Sequence, residues 1–262
     1  MTARVPTNSR TSNHSFYDQY PDVYHAFARR RDIKREIDRY RFGSVRAGKT
    51  LELFAGPAYH TREMARRNWP SEFWAIDASP GMKDLAVKLG FPHPDRYLVG
   101  DAVECMATMF DLSCVLIPGM SLGLIAPEQA SELIRSVAKS LVPGGIAYIE
   151  LYRIDSLMSR LRRTRPVPKH VVHDRREFVY CSPSAQPRWD PDAWHVWIPA
   201  SITIRDGTHV REIRFESEEW LYTENDLRNW VACDPFDSTK IDSVEANQVS
   251  TIYRLTKTIS EQ

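Results

Sequence analysis

Two acids in this chain are spaced as a nucleoside clamp needs them. The first apolar run, Thr50–Ala58 (TLELFAGPA), carries Glu52 and turns at Gly56. The second, Phe73–Met82 (FWAIDASPGM), ends its apolar stretch on Asp77, 21 residues beyond Gly56. A strand–helix–strand unit of that length brings the second acid beside the first turn. A ribose diol offers two donors and one carboxylate accepts both, so the spacing predicts a nucleoside-containing cofactor. A dinucleotide is poorly supported. Its pyrophosphate needs a glycine-rich turn at a helix N-terminus, and the aligned positions here are Gly56, Ala58 and Thr61. Gly48–Thr50 (GKT) is no phosphate loop either, because it lacks the upstream glycine and precedes the strand.

These acids must be carried by an alternation of strands and helices. Thr50–Phe54 reads as a strand, Tyr59–Arg67 as a helix, and Glu72–Ile76 as a strand. A helix over Gly81–Leu89 follows Ser79–Pro80, a start signal. Arg96–Gly100 and Leu112–Ile117 read as strands, the second apolar enough for burial on both faces. Glu128–Leu141 reads as an amphipathic helix, and the turn LVPGG leads into a fifth strand, Gly145–Tyr152. Such alternation predicts an α/β fold, a doubly wound and mostly parallel Rossmann-like sheet of seven strands. Ligands sit at the carboxyl ends of its strands, and Glu52, Asp77, Asp101, Pro118 and Tyr152 fall there.

The flanking segments have a different character. Residues 1–15 are polar and expected to be disordered. Residues 16–47 are expected to form an N-terminal helical cap, with Pro21 breaking or starting one of its helices. Residues 48–155 and 221–262 then make the cofactor domain. Residues 156–220, rich in proline and charge, read as an antiparallel lid insertion. Within it, Trp194–Ile204 and His209–Glu216 form two strands joined through Asp206–Gly207. Thr223–Val231 reads as a helix capped by Thr223, and Ile241–Val244 and Val249–Lys257 as closing strands.

Composition bounds the function. The chain has 262 residues, 42% of them apolar, which suffices for one large domain with a lid. A net charge of +1 gives no electrostatic case for nucleic acid or an anionic membrane. The arginine-rich stretches Arg29–Arg31 and Arg160–Arg165 read as solvated surface. Cys105, Cys114, Cys181 and Cys233 form no CxxC and no metal spacing, and read as reduced structural thiols. With no apolar leader and no spanning run, the expectation is a cytoplasmic protein acting on a small molecule. A homo-oligomer is compatible with the sequence.

Four short motifs in order carry a family resemblance: Glu52-LFAGPA, AID77-ASPGM82, Gly100-Asp101-Ala102 and Leu141-VPGG. Together they resemble the class I S-adenosylmethionine-dependent methyltransferases over roughly residues 16–155. The resemblance implies roles. Glu52 and the Gly56–Ala58 turn would face the aminoacyl end of S-adenosylmethionine, and Asp77 would take the ribose hydroxyls. Ala78 and Met82 would pack on the adenine, with Asp101 and Ala102 at its edge. Pro118 would line the floor near the sulfonium. The leading segment is similar to that of glycine and amino-sugar N-methyltransferases, where a tyrosine and an arginine close over the cofactor. The matching residues are Tyr17 or Tyr24, and Arg30, whose guanidinium would pair with the cofactor carboxylate. On that reading, Arg30→Met weakens binding of the intact cofactor more than of its decarboxylated analogue, as calorimetry with both would show.

The chain departs from that family at Ala58, at the segment IPGMSLGLI, where Met120 and Leu124 replace polar side chains, and in its aromatic-rich lid. Methyl transfer to nitrogen in secondary metabolism is the expected activity. Tyr17, Tyr24, Tyr152, Tyr180, Asp155 and His195 are candidates for handling a proton, although His170, His173 and His195 read first as surface or structural residues, and their spacing suggests no metal site. The apolar segment is also compatible with a second chemistry, a lyase or cyclase. There the cofactor's own amine would close an azetidine ring and release methylthioadenosine. A cofactor-binding interaction protein is the non-enzymatic alternative, and the full acid set argues against it.

Overall fold

The computed structural model describes residues 13–40, 47–162, 168–232, 239–246 and 249–258. Cys233 and the first twelve residues lie outside these. The chain begins with α1 (Asn13–Gln19), α2 (Pro21–Ala28) and α3 (Ile33–Arg39). It continues through β1 (Gly48–Leu53), α4 (Tyr59–Arg66), β2 (Ser71–Asp77), α5 (Pro80–Lys88), β3 (Tyr97–Val99) and α6 (Ala102–Met106). Next come β4 (Leu112–Ile117), α7 (Pro127–Ser140), β5 (Leu141–Tyr152) and α8 (Ile154–Leu161). The strands β6 (Lys169–His173), β7 (Arg176–Cys181), β8 (Arg188–Asp190), β9 (His195–Asp206) and β10 (His209–Trp220) follow. The chain closes with α9 (Glu224–Ala232), β11 (Thr239–Ala246) and β12 (Ser250–Lys257).

The chain divides into two compact units, Met1–Arg31 with Met158–Glu219, and Asp32–Leu157 with Trp220–Gln262. The segment read from sequence as one cap over 16–47 is therefore shared between them: α1 and α2 lie in the first unit, α3 in the second.

The second unit is a seven-stranded sheet of order β11-β12-β5-β4-β1-β2-β3. Strands β1 to β5 pair in parallel, while β12 runs antiparallel to both β5 and β11. Its apolar runs are continuous because both faces are covered, and period-two alternation deals successive side chains to opposite cores. In β4, Cys114 and Leu116 join Ile37 of α3 and Met64 of α4 on one face, while Val115 and Ile117 join Leu133 and Val137 of α7 on the other. In β5, Ile146 and Tyr148 divide from Ala147 and Ile149 in the same way. Burial of Cys114 pushes its thiol well above the ordinary range, which keeps it an inert core group. Cys105 and Cys181 are likewise free thiols.

The helix signals in this unit work as local chemistry predicts. Ser79 accepts from the Met82 amide at 3.1 Å and Pro80 opens α5. Thr223 and Asp226 form a reciprocal cap at the start of α9: the Thr223 amide and hydroxyl donate to Asp226, and the Asp226 amide donates back. No described helix is long and apolar enough to cross a membrane.

The first unit is a second sheet, antiparallel where the register is defined, of order β10-β9-β7-β6, with β8 beside β9. Its core joins the leading helices to the strands: Phe16 of α1 and Val23 and Ala26 of α2 pack with Val171, Phe178 and Ile202. Phe16 stacks on Phe215 with centroids 4.3 Å apart. The β6–β7 hairpin turns through Asp174 and Arg175, both at positive φ (48° and 63°), the backbone of a tight hairpin turn built without glycine.

Candidate functional site

The carboxyl ends of β1 and β2 are tied together by Asp77. Its Oδ2 accepts from the Gly56 amide at 2.7 Å and its Oδ1 from the Ser79 amide at 2.9 Å. One carboxylate thus fixes both the β1–α4 and the β2–α5 turns. Tyr97 of β3, fully buried, holds the other side of the same peptide turn: its hydroxyl donates to the Gly56 carbonyl at 2.5 Å. Tyr97→Phe should lower stability by about 1 kcal/mol, the ordinary worth of one such hydrogen bond, and loosen the Gly56 turn, as urea unfolding would show.

The turn has an unusual backbone. Phe54, Gly56 and Ala58 all take left-handed conformations (φ 52°, 51° and 52°). Every second position from 54 to 58 therefore suits glycine, which alone adopts this region without strain. Only one of the three is glycine, so about 1–2 kcal/mol of strain per residue is held at Phe54 and Ala58 by the surrounding structure. Ala58 is also the N-cap residue of α4 and has no side chain to cap with.

Glu52 supplies that cap from the strand. It is 1% exposed, and its Oε2 accepts from both the Thr61 amide (2.9 Å) and the Thr61 hydroxyl (2.8 Å). Its Oε1 lies 2.9 Å from His60 Nδ1, and His60 Nε2 lies 3.2 Å from Glu36 of α3. A ring with a carboxylate at each nitrogen satisfies both only as the doubly protonated cation. Burial alone would raise the Glu52 carboxyl, but the His60 charge and the His60 and Thr61 hydrogen bonds prevail and hold it below the usual carboxylate range. The sequence reading set Glu52 toward the cofactor's aminoacyl end. In the structure its oxygens serve α4 and the Glu36–His60 pair.

The remaining expected cofactor residues gather at the same end of the sheet. Ala78 is exposed after β2, and Met82 is buried in α5. Asp101 caps α6 through Oδ1, which accepts from Val103 (2.8 Å) and Glu104 (3.1 Å). Among the described residues, its Oδ2 takes no hydrogen bond. Ala102 is buried in the first turn of α6, and Pro118 is buried at the end of β4. The Pro118 carbonyl accepts from the Ser121 hydroxyl at 2.7 Å. The next amide, that of Gly119, donates to Glu150 Oε2 at 2.8 Å. Glu150, 6% exposed, also binds Arg39 at 3.1 Å and the Ser250 hydroxyl. This buried acid locks the loop after β4 to β5, β12 and α3. Met120 and Leu124 are half-buried in that loop, and Tyr152 is half-buried at the end of β5.

The other expected residues, Asp155 of the parallel unit apart, belong to the antiparallel unit. Tyr17 and Tyr24 are half-buried and meet edge to face at 5.5 Å. Arg30 is exposed, and its guanidinium donates to the His170 carbonyl at 3.1 Å. Burial raises the Tyr180 hydroxyl above its ordinary range, against the Ser182 hydrogen bond and the Arg160 charge. His195 is buried beside Trp197, and burial lowers its imidazole. Asp155 is exposed in α8. No group of metal-binding side chains occurs among the described residues.

Sequence reasoning passed over Tyr97, the Glu36–His60 pair and the Arg39–Glu150–Ser250 network. An ionisable residue inside an apolar strand, as at Glu150, was the available signal.

A scan against protein-family models finds no match, and neither does a search of curated proteins. Solved structures do match. The sugar N-methyltransferase KedS8 from Streptoalloteichus sp. superposes with a TM-score of 0.73 at 15% identity, covering 99% of each chain. Streptomyces venezuelae DesVI gives 0.71 at 18% identity over 90% of this chain and 97% of its own. CalS10 from Micromonospora echinaspora, an amino pentose methyltransferase of calicheamicin biosynthesis solved with S-adenosylmethionine bound, gives 0.68 at 16% identity over 92% and 97%. The chain therefore has the Rossmann-like fold of the class I S-adenosylmethionine-dependent methyltransferases, in the arrangement seen in the sugar N-methyltransferases.

Proposed function

We propose that this protein is an S-adenosylmethionine-dependent methyltransferase acting on nitrogen of a small molecule in secondary metabolism. The observation that carries the reading is the set of groups at the carboxyl ends of β1 to β3. Asp77 stands between the Gly56 and Ser79 amides, and Asp101 has an oxygen that its own helix does not use. In this reading Asp77 accepts from the ribose hydroxyls and Asp101 Oδ2 from the exocyclic amine of the adenine. Ala78 and Met82 flank the ring, with Ala102 beside its edge, and the Gly56–Ala58 turn lies against the amino-acid portion. Pro118 lines the floor, while Glu150 keeps the adjoining loop still.

The bound cofactor supplies a sulfonium-activated methyl group. The chain's task is then to hold donor and acceptor in line and to exclude water, since positioning carries most of the rate gain in such a displacement. The likeness to KedS8, a sugar N-methyltransferase, and to CalS10, an amino pentose methyltransferase, supports an amino sugar or similar amine as acceptor.

The test is incubation of the pure protein with S-adenosylmethionine, alone and with candidate amines, followed by mass analysis. S-adenosylhomocysteine formed only when an amine is present is the expected result. Methylthioadenosine with a cyclic four-carbon amino acid, formed without acceptor, would replace this reading with the cyclase.

A further inference from the structure

The β1–α4 turn holds an aromatic ring on a backbone that phenylalanine rarely takes. Phe54 follows β1 directly and has φ 52°. For a bulky side chain that conformation is an outlier, and such strain gathers where ligands are gripped. Along β1, Leu51 and Leu53 enter the core under α6 and α7, whereas Glu52 turns to His60 and Thr61 of α4. Period-two alternation would send Phe54 after Glu52. The left-handed turn brings it back: Phe54 packs against the core that contains Leu53, Ile76, Ala102 and Leu122. It is nevertheless only half-buried. Glycine would make the same turn without strain, so what the strain secures is the ring and its place.

The sheet defines that place. β1 lies between β4 and β2. Its register pairs Leu53 with Ile76 and Glu52 with Leu116. Continued to Phe54, the register sets it level with Asp77 on one side and Pro118 on the other. In the reading above, Asp77 takes the ribose and Pro118 floors the site near the sulfonium. One methylene joins the ribose to the sulfur, so a cofactor laid from β2 toward β4 carries its sulfonium across the end of β1. The ring there is open to such a charge. Among the described residues no lysine or arginine lies over Phe54, whereas in the same unit Lys49 lies over Phe110 at 5.1 Å and Arg96 over Trp74 at 5.8 Å. A sulfonium has no proton to donate, and an aromatic face attracts it without a hydrogen bond.

We propose that Phe54 selects the cofactor: its ring face takes the sulfonium of S-adenosylmethionine by cation–π attraction and so separates it from S-adenosylhomocysteine, whose sulfur is neutral. The proposal rests on the cofactor placement above and adds a residue to it. The strained backbone sets the ring before the cofactor arrives, so little side-chain freedom is lost on binding. Once the methyl group has left, the sulfur is a thioether and the attraction ends, which favours release of the spent cofactor.

The test does not require the acceptor to be known. Calorimetry on the full chain compares S-adenosylmethionine with S-adenosylhomocysteine. Phe54→Leu keeps an apolar side chain and removes the π face. It should weaken S-adenosylmethionine about 5- to 30-fold and leave S-adenosylhomocysteine nearly unchanged. Should that variant not fold, fluorinated phenylalanines introduced at position 54 alone keep the ring's shape and drain its negative face. Affinity for S-adenosylmethionine should then fall with each added fluorine, while that for S-adenosylhomocysteine holds. Equal losses for the two ligands, or indifference to fluorine, would overturn the proposal and leave Phe54 a packing residue. Binding of neither ligand by the native chain would instead remove the cofactor reading on which the proposal rests.

Discussion

Asp77→Ala should raise the dissociation constant for S-adenosylmethionine roughly 5- to 150-fold, equivalent to about 1–3 kcal/mol. Two effects combine. The ribose hydroxyls would lose their acceptor, and the Gly56 and Ser79 amides would lose the carboxylate that sets the turns around them. The second effect is present without ligand, so the variant should also unfold at lower urea. Asp77→Asn keeps the shape and one carbonyl acceptor while presenting an NH2 where the second acceptor stood. It should therefore fall between wild type and Asp77→Ala in affinity. Calorimetry on the three proteins checks the order, and an unchanged affinity in Asp77→Ala would remove the ribose assignment.

His60→Leu should destabilise the fold by about 3 kcal/mol or more. Removing one member of a buried ionic group leaves the remaining buried charge without its counter-ion, and here that charge is Glu52. The loss should also remove one tie between α3 and α4, which the Arg67 bonds to Asp38 and to the Lys34 carbonyl still join. The pH dependence has a definite sign. The folded Glu52 carboxyl is held below its unfolded value of 4.5. Its contribution is therefore complete above about pH 4.5 and is lost as the pH falls through the folded value. The gap between wild type and His60→Leu should be full at pH 7 and shrink in strong acid. Urea unfolding at a series of pH values measures it, and a gap independent of pH would assign the loss to packing.

Much of the parallel unit was legible because its signals are local. The apolar run Leu112–Ile117 reads as a strand suited to burial on both faces, and β4 has those bounds. Ser79–Pro80 and Thr223 mark helix starts by hydrogen bonds made within one turn of chain. The strands β6 and β7 were not read, for an equally local reason. Their hairpin turns through Asp174 and Arg175, where Arg175 reaches positive φ at the position that glycine usually marks. The short helix α6 escaped because its five residues, Ala102–Met106, are too few to show a helical period, and its cap is visible only once Asp101 is seen to accept from Val103 and Glu104.

The sequence by itself determined the strand–helix alternation, the acids at the strand ends and hence the kind of ligand the sheet suits. Periodicity and capping act over a few residues and leave their trace in residue order. Only the tertiary structure decided what those acids bind within the protein. It gave Glu52 to Thr61 and His60, tied Asp77 to two turns, and drew Glu150 to Arg39 and Ser250 from distant parts of the chain. It also divided the leading helices, sending α1 and α2 to the antiparallel sheet and α3 to the parallel one. A carboxylate's partners are chosen by which donors the packed elements bring within about 3 Å, and that choice is made only when the elements pack.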